Sequence, residues 1–102
     1  MLCVTLYAVE PASLARIPEV YPRHHAYLER FAAGGDLIMI GPFGDPATQG
    51  SMAVFRSRDA AERFVAGDPF VTEGLAVPEL RDWDALVLAA VEQPGQDPAA
   101  AS

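Results

Sequence analysis

Two adjacent glycines, Gly34-Gly35, divide a helical pattern from a strand pattern, and that break dictates most of what the chain can become. Upstream, His24, Tyr27, Leu28 and Phe31 fall at i, i+3, i+4 and i+7, which at about 100° per residue is one face of a helix. Pro22 suits a first helical turn, where its missing N–H is no loss, and the glycines can supply a left-handed stop. The spacing therefore predicts a helix over 22–34. Downstream, Leu37-Ile-Met-Ile40 is a short apolar run closed by Gly41-Pro42, the pattern of a buried strand over 36–40. Three members of the helical face are large and apolar; the fourth is a histidine. His25 points about a quarter-turn away, toward Glu29 at i+4, where a helix meets water.

The remaining segments fall around this pair. Leu2 to Val9 is rich in β-formers and ends at Glu10-Pro11, so a first strand is expected there, central and covered on both faces. Ser13 is placed to cap a short turn reaching Ile17. Gly41 to Gly50, with Gly-Pro and Gly-Asp-Pro, reads as loop throughout. Ser51 to Arg56 is a third strand. A second helix follows, capped by Ser57 or Asp59, with Ala60, Ala61, Phe64 and Val65 on its apolar side and a stop at Gly67. Asp68-Pro69-Phe70 opens a single capped turn ending at Gly74. A last strand is expected over 79–88, with Trp83 in its middle and Pro78 at its edge or start. The tail over 91–102 has no apolar period and reads as a flexible appendage to a domain of residues 1–90.

The order β-α-β-β-α-β is the split βαβ plan, an α+β ferredoxin-like sandwich with an antiparallel sheet and helices on one face. The other face is then bare. Such a face is usually buried against a second copy, so a homodimer through the sheet is expected, with Trp83 near its centre.

With 102 residues and 51% hydrophobic content, one domain can bury a core. A net charge of −7, with no lysine and no basic run, argues against nucleic acid or an anionic membrane as partner. A lone cysteine, Cys3, excludes an internal disulfide and reads as a buried thiol. The opening residues lack a basic signal region and no run nears the ~20 apolar residues of a membrane span, so a cytoplasmic location is expected.

Histidine is the side chain best suited to moving protons near neutral pH, although a core histidine bonded to a carbonyl is the plainer alternative for His24. Asp68 before a proline is a natural helix cap, worth about 1 kcal/mol, and its second oxygen is available to a site. Tyr27 and Phe31 read as core, each contributing about 1.5–3 kcal/mol of burial, with the Tyr27 hydroxyl able to reach a pocket. Gly41-Pro42 turns the chain, and a glycine there lets a ligand approach the backbone. His24, His25 and one carboxylate fall short of the three or four ligands a metal site requires.

Pro22-Arg-His24-His-Ala-Tyr27-Leu28, then Gly35, Gly41-Pro42, Asp68-Pro69-Phe70-Val71 and Gly74, taken in this order, resemble the YCII-related (YciI-like) proteins. Tyr21 stands where that family often has Arg, and His25 where Leu is common. The resemblance spans residues 1 to about 88 and implies a dimeric α+β barrel built from two ferredoxin-like units. It implies a His–Asp catalytic pair, which maps onto His24 and Asp68. Tyr27, Gly41, Pro42 and Phe70 are the substrate-binding candidates. Some relatives are dehydrochlorinases of chlorinated hydroxylated aromatics; more distant barrels are isomerases or cofactor-free monooxygenases. The expected activity is thus a cofactor-free, metal-free lyase or isomerase acting on a small cyclic or enolic compound. The competing expectation is a non-catalytic dimeric ligand-binding or accessory module whose cleft holds a ligand or partner; a pure packing role would leave His24 sealed.

Overall fold

Leu2–Val9 (β1) runs through the middle of a four-stranded antiparallel sheet whose order is β2-β3-β1-β4, in a computed structural model that describes residues 1–90. The other strands are β2 (Leu37–Pro42), β3 (Ser51–Phe55) and β4 (Ala76–Trp83). A 3₁₀ turn, Pro11–Arg16, leads into α1 (Ile17–Ala32); the shorter helices are α2 (Pro46–Gln49), α3 (Arg58–Gly67) and α4 (Pro69–Thr72). Tail residues 91–102 lie outside the described residues. This is the ferredoxin-like α+β arrangement, with its helices on one face of the sheet.

The period-2 alternation of a strand decides which side chains meet the helices. Cys3, Thr5 and Tyr7 of β1 are buried, and the register sets Phe55 opposite Cys3 and Ala53 opposite Thr5, so all five share one face. Ala60, Ala61 and Phe64 of α3 close over them, with Tyr27, Leu28 and Phe31 of α1 packed alongside. Phe31 meets Phe55 and Phe64 edge-on, at ring separations of 6.1 and 5.1 Å. β1 is central, as its composition requires, but helices cover it on one face only. Val4, Leu6, Met52, Val54, Val77 and Trp83 are on the opposite face, and Trp83 remains 46% exposed.

Several boundaries differ from the sequence expectation. α1 begins at Ile17, not at 22, because Pro18 takes the proline-tolerant start and Pro22 is carried inside the helix. Pro22 then leaves the Pro18 carbonyl without its usual i+4 donor. The preceding turn is capped by Glu10, whose Oε1 accepts from the Ala12 amide, whereas Ser13 donates its hydroxyl to the Gly74 carbonyl. β2 extends through Gly41-Pro42, since both find partners on β3. The expected loop also contains α2, where Thr48 Oγ1 donates to Asp45 Oδ2 at 2.8 Å and the Asp45 amide donates to Gln49 Oε1 at 3.0 Å. β4 spans Ala76–Trp83 instead of 79–88: it is an edge strand pairing with β1 from Val9 to Leu2, and Trp83 opposite Leu2 is the last residue with a partner. Pro78 is tolerated inside it because an edge strand needs ladder bonds on one side only.

Candidate active site

The Asp68 carboxylate sits at the joint between α3 and α4, where its Oδ1 accepts from the Phe70 amide at 3.0 Å and caps α4. The same Oδ1 lies 2.8 Å from Nδ1 of His24, on α1. An ionised carboxylate can only accept, so toward Asp68 in that form the imidazole donates from Nδ1. The neutral ring then carries its lone pair on Nε2. Asp68 keeps 2% of its side chain exposed and His24 keeps 14%, so the imidazole is the member of the pair that a ligand can reach.

Phe70, the residue after Pro69 in the first turn of α4, stacks on the imidazole at 4.1 Å between ring centres and 14° between planes. Tyr21, half exposed, lies 6.2 Å from the His24 ring and 6.4 Å from Phe70, at the mouth. His24, Asp68 and Phe70 form one wall of a cavity of about 360 Å³; Gly41 and Pro42 of β2 contribute to its lining, as does Tyr7 of β1. Apolar side chains such as Ile17, Leu28 and Leu75 supply most of the remaining surface. Gly50, also in the lining, has φ +76°, and a Cβ there would stand 1.9 Å from the Tyr7 carbonyl oxygen, so only glycine closes this corner.

His24, Asp68, Gly41, Pro42 and Phe70 thus converge on one cavity. Tyr27 does not. Its hydroxyl donates to the Phe64 carbonyl at 2.8 Å and also reaches that of Arg63, tying α1 to the end of α3. Tyr27, expected to bind substrate, lies outside the cavity lining because the carbonyls at a helix C-terminus need donors and Tyr27 supplies one. His25 turns outward and meets Glu29 Oε1 at 2.9 Å. Tyr7 was not among the expected site residues, although the alternation placing it with Cys3 and Thr5 on the helix side was available. Its hydroxyl and that of Thr5 are buried without a hydrogen-bond partner. Burial pushes the Tyr7 phenol up, the Asp68 charge adds to that, and the Thr5 hydroxyl partly offsets them. Tyr7 therefore keeps its proton throughout the neutral range.

Among the described residues, no three His, Cys, Asp or Glu side chains group as metal ligands, and no helix is long and apolar enough to cross a membrane.

The YCII-related domain model matches residues 1–84. The chain is similar to the 5-chloro-2-hydroxyhydroquinone dehydrochlorinase TftG from Burkholderia phenoliruptrix AC1100, solved in complex with 2,5-dihydroxybenzoquinone. That likeness has a TM-score of 0.65 and 29% identity, covering 82% of this chain and 94% of that one. A weaker likeness links it to SnoaB, a cofactor-independent oxygenase from Streptomyces nogalater, with a TM-score of 0.42 and 19% identity over 93% of this chain and 96% of that one. Among curated protein sequences none matches the chain.

Proposed function

The chain belongs to the YCII-related domain family, and we propose that it is a small cofactor-free enzyme in which His24 moves a proton on a cyclic or enolic substrate. The observation that carries this reading is the 2.8 Å contact of His24 Nδ1 with a nearly sealed carboxylate, on an imidazole that lines a mostly apolar cavity. Nε2 takes a proton from a hydroxyl or an activated carbon of the bound compound. Asp68 fixes the ring orientation and stabilises the imidazolium that forms, as a carboxylate does behind a catalytic histidine elsewhere. In an elimination, the electron pair released by deprotonation expels a leaving group together with its bonding pair. In an isomerisation, His24 returns the proton to another carbon. Likeness to a dehydrochlorinase favours the elimination, of hydrogen chloride from a chlorinated hydroxylated ring.

Gly41 and Pro42 would shape the cavity against the ring, while Phe70 holds the imidazole face. We further propose that two copies pair through the open sheet face and that the protein works in the cytoplasm. Residues 1–90 would be the working domain and 91–102 an appendage. Chloride release from a panel of chlorinated hydroquinones and catechols tests the reaction. Turnover by the wild-type protein that disappears in His24→Ala is expected. Turnover unchanged by that substitution would remove His24 from the chemistry.

A further inference from the structure

Among the described residues, no cationic side chain lines the cavity beside His24. All seven basic residues of the chain are arginines, and none of them lines it. Arg16 and Arg23 both bind Glu73; Arg58 binds Asp82, Arg63 binds Asp36 and Asp59, and Arg81 binds Glu79. Among the described residues, Asp68 is the only carboxylate in the lining, and it is almost completely buried. With a neutral imidazole, the site carries one negative charge. With an imidazolium, that charge is already matched by Asp68 at 2.8 Å.

The start of α1 does not supply the missing positive potential. A helix N-terminus attracts anions through free amides. Here the Ile17 amide bonds to the Leu14 carbonyl, Pro18 has none to offer, and Glu19 adds negative charge to the first turn. At α4 the Phe70 amide is occupied by Asp68 itself. What the walls do offer is apolar surface, the aromatic faces of Phe70 and Tyr21, and neutral hydroxyl-bearing residues, Tyr7 and Ser51. A carboxylate entering such a space loses its water with no charged partner in return and meets the field of Asp68.

We propose that this cavity selects uncharged hydroxylated ring compounds and rejects ring carboxylates of the same size. The inference rests on the reading of the cavity as the substrate site and adds the charge class of the substrate. Calorimetric titration of the full chain under anaerobic conditions at neutral pH would compare hydroquinone, 2,5-dihydroxybenzoate and its methyl ester. The two neutral probes should bind, and the carboxylate should bind at least about tenfold more weakly. Equal or tighter binding of the carboxylate would overturn the proposal, and so would failure of both neutral probes to bind. The preference should persist in His24→Gln, which keeps Asp68, while turnover should not. Turnover that survives in His24→Gln would instead count against proton transfer by His24 and leave the measured charge preference standing.

Discussion

The Tyr27 ring lies so close over Gly67 that a Cβ on the glycine would stand 2.7 Å from the phenol oxygen and 2.9 Å from a ring carbon. This contact joins α1 to the end of α3, and the next residue is Asp68. The close approach therefore sets where the carboxylate meets His24. Tyr27 has little room to retreat, since its ring packs 5.2 Å from Phe64 and 6.3 Å from Phe31.

Gly67→Ala should destabilise the protein by about 1–3 kcal/mol, the usual range for forcing volume into a packed site. Urea unfolding is the measurement. Placing the alanine in a Tyr27→Phe background removes the closest clash and should shrink the effect, although the ring carbons remain. Strict additivity of the two substitutions would show that the contact does not couple them.

Asp68 has two roles that substitution can separate. Asn retains an oxygen for the Phe70 amide, so Asp68→Asn should keep the cap and lose at most about 1 kcal/mol, while Asp68→Ala loses the cap as well. Asn cannot stabilise an imidazolium, so turnover in Asp68→Asn should fall by about 10²–10⁴-fold if His24 moves the proton. An Asn variant that turns over normally would reduce Asp68 to a capping residue.

The adjacent histidines give a matched contrast. His25 is about half exposed; its ring stacks on Tyr21 at 5.8 Å, and it meets Glu29, itself 70% exposed, in an i,i+4 contact of about 0.2–0.5 kcal/mol. His25→Ala should leave both turnover and melting temperature nearly unchanged, whereas His24→Ala should abolish turnover. Equal losses in the two variants would mean that the helix, rather than one imidazole, is what the activity depends on.

The helical spacing of His24, Tyr27, Leu28 and Phe31 was sufficient to predict the inward face of α1, and the i+4 glutamate to predict the outward turn of His25. The strand and helix order carried the sheet plan. The place of the Tyr27 hydroxyl is not legible locally, because periodicity names a face, not a partner: the carbonyls of Arg63 and Phe64 that occupy it come from a helix distant in sequence. The bounds of β4 were misplaced for a similar reason, since the length of β1 decides them and no local residue in 76–88 does. Alternation groups Tyr7 with Cys3 and Thr5, but it does not say which position along that face borders a cavity. The lack of a cation in that cavity depends on where every arginine goes, which no local pattern records.

Glu73 fastens the turn after α4 to the chain around α1 through Arg16 and Arg23, and the Arg23 bond, first among the causes, holds its carboxyl below the ordinary glutamate value of 4.5. A carboxyl with a depressed value in the folded state adds stability that is complete above its unfolded value and is lost as pH falls through the folded one. The melting-temperature difference between wild type and Glu73→Gln should therefore be constant at neutral pH and narrow below about 4.5. A difference that persists unchanged in acid would show that packing, not charge, sets the role of Glu73. The exposure of the three side chains keeps the whole effect small.

The open face of the sheet carries the assembly prediction. By the β1–β3 and β1–β4 registers, Val4, Leu6, Met52, Val54, Val77 and Trp83 point away from the helices, and among the described residues of these three strands the paired Glu79 and Arg81 are the charged ones on that side. A face of this kind is more apolar than a monomer normally leaves to water, and a second copy would cover it by a two-fold axis. Sedimentation at micromolar concentration should therefore show a dimer. Met52→Lys tests the contact without entering the helical core, because Met52 pairs with Leu6 on the outward side. In a monomer the lysine is solvated. In a sheet-to-sheet dimer it is an unpaired buried charge costing about 3–5 kcal/mol per copy, enough to shift the equilibrium to monomer. Wild-type protein that sediments as a stable monomer would sink the sheet-face pairing, and so would a Met52→Lys variant that dimerises as strongly as wild type.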